Sequence, residues 1–120
     1  MKREDKVIKA VEIATGISSD EWFRKSNRVS HCVKCRYICY YIMTRKLNMT
    51  TTKTGSYMGK DHSTIIHGIK SVENMWLDMP KMYDKENEIL NKALMEYQSM
   101  TSEENVYVDH KGNKWIKENA

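Results

Sequence analysis

The stretch TGSYMGKDHSTIIHGIK, Thr54 to Lys70, sets Gly55, Gly59 and Lys60 beside Asp61, His62, Ser63 and Thr64, immediately before an apolar helical pattern. Glycines, a lysine and hydroxyls ahead of a helix could cradle the phosphates of a nucleotide. The spacing excludes it. A nucleotide-binding loop of that kind needs four residues between its glycines and a hydroxyl directly after the lysine, so that backbone N–H groups wrap a phosphate and the hydroxyl reaches magnesium. Here three residues separate Gly55 from Gly59, and Asp61 follows Lys60. A carboxylate therefore sits where a phosphate oxygen is wanted, and no apolar strand precedes the loop. No nucleotide is expected as ligand.

A second set, Cys32, Cys35 and Cys39 beside His31, raises the question of zinc or redox chemistry. Structural zinc sites pair two ligand knuckles across a linker, which C-x2-C-x3-C on a helix does not provide. The cysteines fall at i, i+3 and i+7 with Ile42 continuing the stripe, and buried cysteine packs as a small hydrophobe. They read as core, with no metal expected. No nucleophile–base pair or carboxylate dyad is evident either, so no catalytic residues, cofactor or enzymatic activity are expected.

The charge distribution points to a polymer. The formal net charge is +4, yet from Arg24 to Lys70 ten Lys/Arg residues face a single acid, Asp61, and from Glu73 onward ten acidic residues outnumber six basic ones. A basic half joined to an acidic half is the footprint of a nucleic-acid reader with a solvated tail. The 120 residues suit one domain. No apolar run reaches membrane-spanning length, and MKREDK lacks the apolar core of a secretion signal, so a cytoplasmic location away from membranes is expected.

With one proline and five glycines, helix is the expected state. Residues 3–15 place Val7, Val11 and Ala14 on one face, closed by Gly16. Ser18 or Ser19 caps a short helix, DEWFRK, whose Trp22 and Phe23 are expected to plug the core. Ser30 opens a longer helix, HCVKCRYICYYIMTRKL, that ends at the polar cluster NMTTT. Thr50 caps a short helix from Thr51 to Tyr57, turning at Met58-Gly59. Asp61 caps a helix from His62 to about Asp78, ended before Pro80. DKENEILNKALMEYQSM is a last amphipathic helix carrying Ile89, Leu90, Ala93, Leu94 and Tyr97, and VYVDHKGNKWIK alternates about a glycine turn as a small β-hairpin does. Residues 1–100 are thus expected to form an all-α helical domain, with 101–120 a tail containing the hairpin and His110 at its turn.

On the helix after Asp61, Ile65, Ile69, Val72 and Trp76 form a core stripe, leaving Lys60, Ser63, Thr64, His67 and Ser71 on the other side. A short helix, a tight glycine turn and a second helix with a polar N-terminal face make a helix-turn-helix, whose second helix enters the DNA major groove. Double-stranded DNA is the expected partner.

Those residues carry a resemblance. The run YMGKDHSTIIHGIK resembles the signature of the C-terminal DNA-binding domain of the bacterial replication initiator DnaA, Gly-Arg/Lys-Asp-His-Ser/Thr-Thr followed by an apolar pair and His-Ala. Upstream, KSNRVSHCVKCRYICYYIM is similar to that family's Lys-Ser-X-Arg followed by Ile-Val-X-X-Arg-Gln-Ile-Ala-Met-Tyr-Leu. The match spans roughly residues 5 to 98. It implies a helical bundle related to the Trp repressor, without catalysis. It implies base reading by Asp61, His62, Ser63 and Thr64, a minor-groove contact by Arg28, and a backbone contact by Arg36, with His67 one turn beyond the reading residues.

The chemistry of these residues agrees with the roles so implied. Asp61 can cap its helix and accept from cytosine N4, His62 can meet purine N7 or O6, and the Thr64 methyl suits a thymine methyl. Arg28, beside Lys25 and Asn27, suits a narrow electronegative minor groove. His67 fits a DNA contact and equally a surface or core histidine satisfied by its neighbours.

The chain departs from the pattern in three ways. Thr51 and Thr54 stand at apolar positions of the first motif helix, which predicts looser packing there. Tyr37 replaces glutamine. The initiator's nucleotide-binding module is missing, so the chain is expected to act as a free-standing reader regulating replication or transcription. An alternative is a protein-interaction module on a helical scaffold, favoured by the acidic, methionine-rich C-terminal half. There Met75, Met79, Met82 and Met95 are expected to pack between the last helices or, alternatively, to line a partner groove.

Overall fold

A computed structural model describes residues 2–24, 30–108 and 114–116 of the chain. Arg3–Thr15 forms α1, which buries Val7, Ala10, Val11 and Ala14 on one stripe. Gly16 ends it in the left-handed region at φ 72°, its N–H donating to the Glu12 carbonyl at 2.7 Å. Only glycine takes that conformation without a Cβ penalty. The Ser18 hydroxyl then accepts from the Asp20 N–H and starts α2, Ser19–Trp22. Trp22 is fully buried, and its indole N–H donates to the Ile17 carbonyl at 3.1 Å. Phe23, expected beside it in the core, is instead 37% exposed. Consecutive helical side chains point about 100° apart, so a single turn presents one of the two rings to the interior.

α3, Ser30–Tyr41, continues into a π-helical turn, Ile42–Lys46. Its buried stripe includes Cys32, Cys35, Ile38, Cys39 and Ile42, as the spacing predicts. Burial pushes the Cys35 thiol up to about 11 and raises that of Cys39 as well, so both stay protonated at neutral pH. The helix stops at Asn48, which takes φ 58°, and the Met49 N–H returns to the Met43 carbonyl at 3.0 Å. Asparagine tolerates this left-handed stop better than most residues.

α4, Thr51–Met58, and α5, His62–Ser71, form the proposed motif pair. The helix expected from His62 to about Asp78 is helical as far as Trp76, as α-helix to Ser71. After Ser71 it widens into a π-helical turn, Val72–Trp76, that buries Val72 and Trp76. The last helix, α6, spans Asp84–Asn105, five residues beyond the expected Met100. The hairpin is present as β1, Val106–Val108, antiparallel to β2, Lys114–Ile116, with Tyr107 opposite Trp115.

α1 lies along α6, α3 lies against α5, and α4 against α5. One core joins them: Val7 and Val11, Trp22, Ile38 and Tyr40, Met58, Ile65 and Ile69, and Leu90 and Ala93 from α6. The acidic half is not merely a solvated tail. Lys34 pairs with Glu86 on α6, and Arg45 grips Glu73 with two bonds of 2.9 and 3.0 Å. The methionines expected between the last helices are exposed instead, Met82 and Met95 at 70% and 69%, with Met75 and Met79 also on the surface. Ile89, Leu94, Tyr97 and Tyr83 do that packing. Among the described residues no helix is long and apolar enough to cross a membrane.

Candidate nucleic-acid interface

The turn between α4 and α5 is built from local hydrogen bonds. Thr50 caps α4, its hydroxyl accepting from the Lys53 N–H at 3.0 Å. At the other end the Lys60 N–H donates to the Gly55 carbonyl at 2.9 Å, across Gly59 at φ 69°. Gly55 is needed for a different reason. A Cβ there would lie 2.5 Å from the Lys60 carbonyl oxygen, closer than real contacts allow, so only glycine lets the turn fold back onto α4. Asp61 then caps α5 by accepting from the Thr64 N–H at 2.9 Å. That N–H and the Thr64 hydroxyl hold the Asp61 carboxyl below the ordinary value of 3.8. It is an anion at neutral pH.

α5 presents two unlike faces. Ile65, Gly68 and Ile69 are buried against the core, whereas Asp61, His62, Ser63, Thr64, His67 and Lys70 are exposed and Lys60 is half-buried. Asp61 to Thr64 thus form one solvent-facing first turn, and His67 stands on the next. Lys53 on α4 and Lys46 at the end of the π-helical turn that follows α3 are further exposed cations.

Arg36 lies on α3 and is half-buried. Its guanidinium donates to the Trp22 carbonyl at 2.5 Å, tying α3 to the end of α2. Arg28, the expected minor-groove residue, lies outside the described residues. So do Lys25, Asn27 and His110.

Two residues that set the pose of α5 were not singled out by spacing. Tyr37, on α3, meets the His67 ring edge-on with centroids 5.9 Å apart. Gly68 lets α3 approach closely, since a Cβ there would lie 2.6 Å from the Tyr40 ring and 2.8 Å from that of Tyr37. An isolated glycine inside a helical pattern is the signal that could have pointed to this crossing.

Thr54 is fully buried on α4, where an apolar residue was expected, and its hydroxyl finds no hydrogen-bond partner within the protein. The helix nonetheless packs against α5, and its Met58, 3% exposed, joins the core.

Residues 4–72 match the family described as bacterial dnaA protein helix-turn-helix. The chain is also similar to the chromosomal replication initiator protein DnaA of Kosmotoga olearia, at 33% identity over 73 residues. That alignment takes in 61% of this chain and 16% of the relative, so the likeness concerns a small part of the larger protein. No solved structure matches the chain.

Proposed function

The chain belongs to the bacterial DnaA helix-turn-helix family, a DNA-binding family, and from that premise we propose that it reads specific double-stranded DNA sequences with the first turn of α5. The observation that carries this reading is the solvent-facing set Asp61, His62, Ser63 and Thr64 on a helix whose opposite face is buried. A helix so placed offers side chains to base edges while its own core contacts hold it rigid. Asp61 accepts from cytosine N4 with the carboxylate that also caps the helix. His62 meets a purine at N7 or O6, and the Thr64 methyl meets a thymine methyl. Lys60 and Arg36 contact phosphates, His67 makes a contact one turn further along, and Arg28 enters the adjacent minor groove. In this role the protein recognises boxes of the initiator type and regulates replication initiation or transcription without turning over a nucleotide.

Gel shifts with duplexes selected from a random pool, run over a range of salt, test the proposal. If about 5 phosphates are contacted, log K falls against log salt with a slope near −4 to −5. Equal affinity for selected and random duplexes, or retardation independent of salt, overturns it.

A second reading, a protein-docking surface, is favoured by the exposed Met75, Leu77, Met79 and Met82. Of these, Met75 lines a cavity of about 290 Å³ together with Val33, Lys34, Tyr37, Trp76 and Tyr83. The same gel shifts separate the two readings, because a protein-docking surface alone gives no preference for selected over random duplexes.

A further inference from the structure

Three side chains of different metal-ligating chemistry meet where α2 gives way to α3. Glu21 comes from α2, and His31 and Cys32 from the first turn of α3; their ligand atoms all lie within 4.8 Å of one another. His31 Nε2 is 3.8 Å and Cys32 Sγ 3.9 Å from the same oxygen, Glu21 Oε2. We infer that Glu21, His31 and Cys32 bind a divalent transition-metal ion of the zinc type. Tetrahedral zinc with bonds of about 2.0 to 2.3 Å holds its ligand atoms roughly 3.4 to 3.7 Å apart. Small rotations of Glu21 and His31, whose side chains are 47% and 55% exposed, close the remaining gap.

The donor set selects the ion. A thiolate, an imidazole and one carboxylate suit borderline-soft zinc, whereas magnesium and calcium demand oxygen ligands. Cys32 is buried and forms the floor, while the exposed His31 leaves a route in from solvent. The Cys32 thiol donates to the Glu21 carboxylate. On metal binding the S–H bond breaks, the proton leaves to solvent, and the sulfur and the carboxylate oxygen each bond the ion. Three protein ligands leave a fourth position for water. An occupied site would tie together the two helix ends that flank residues 25–29.

The cysteine spacing could not indicate this site, because Glu21 lies eleven residues before Cys32. Cys35 and Cys39, the other members of the cysteine stripe, stay outside the cluster.

The full-length reduced chain, stripped of metal and dialysed against buffered zinc, should retain about one zinc per chain by elemental analysis. Cobalt, used as a spectroscopic substitute, should give a thiolate charge-transfer band that zinc abolishes. His31→Ala and Glu21→Gln, both at part-exposed side chains, should each weaken binding at least about tenfold with helical content unchanged by circular dichroism. Cys32→Ser should remove the cobalt band, and Cys39→Ala should keep it. Absence of bound metal, full affinity in the His31→Ala/Glu21→Gln double variant, or a cobalt band that survives Cys32→Ser overturns the assignment.

Discussion

At the first turn of α5 the backbone and the proposed DNA bases call on the same side chains. Asp61 already serves the helix through the Thr64 N–H, so its variants must separate capping from reading. Asn caps as well as Asp but offers an amide suited to adenine. Asp61→Asn should therefore melt near the parent temperature while one preferred base shifts in site selection. His62→Ala, at an exposed position, should leave stability intact and cost about 1–3 kcal/mol of discrimination against a wrong base pair. Ile69→Ala should instead destabilise the domain by about 2–5 kcal/mol through a core cavity. If both first-turn variants select the parent's sites, this turn does not read DNA. Thr54 gives a different residue-scale test. Its hydroxyl is buried without a protein partner, and such a group costs about 1–3 kcal/mol to desolvate. Thr54→Val keeps the shape and removes the hydroxyl, so its melting temperature should rise; a fall would show that the hydroxyl is satisfied after all.

Between elements, the decisive contact is the crossing of α3 and α5 at Gly68. Alanine in a helix interior is ordinarily worth about 1 kcal/mol over glycine. At this position the added methyl would meet the Tyr40 ring at 2.6 Å, and overpacking of that kind costs about 1–3 kcal/mol. The clash outweighs the propensity, because the atoms in the way belong to a rigid ring in a buried side chain. Gly68→Ala should accordingly lower the melting temperature and weaken DNA binding by moving α5. The resembled family pattern has alanine at this place and methionine at the place of Tyr40, an exchange of bulk across the same contact. Tyr40→Met combined with Gly68→Ala should thus be more stable than the sum of the single effects, measured as a double-mutant cycle. Strict additivity would mean that the two positions do not share the contact.

For the whole molecule, the two charge halves are partly stitched together. Lys34 bonds Glu86 and holds its carboxyl below the ordinary 4.5, as the Thr64 N–H holds that of Asp61 below 3.8. A carboxyl whose pKa is lowered by folding adds stability that is fully present above its ordinary value. That stability is lost as pH falls through the native value. Melting temperature should be flat from pH 7 to about 5 and fall as pH drops through the carboxylate range. Glu86→Gln should make that fall shallower while lowering stability at neutral pH. An unchanged profile in this variant would show that the Lys34–Glu86 pair contributes nothing in solution. The same pairing leaves fewer cations for DNA than the local charge suggests, because Lys34 and Arg45 both face acids of the C-terminal half.

The features that residues decide among near neighbours were legible in the sequence. Thr50 and Asp61 cap helices where their types and positions predict, Ser18 is the one of the two expected serines that caps α2, Gly16 and Gly59 take positive φ, and the stripes of α1, α3 and α5 face inward. The reason is physical: a cap spans three residues and a stripe repeats within one helix, so the information is local. The exposure of the proposed reading turn, Asp61 to Thr64, followed from the stripe opposite it. What needed the tertiary structure were choices settled by distant atoms. Trp22 rather than Phe23 fills the core because one short turn can aim only one ring inward. Glu86 meets Lys34 across 52 residues of sequence, and Glu21 comes to His31 and Cys32 only because α2 packs on α3. Gly68 is required by rings on another helix, and no local pattern states what that helix will present.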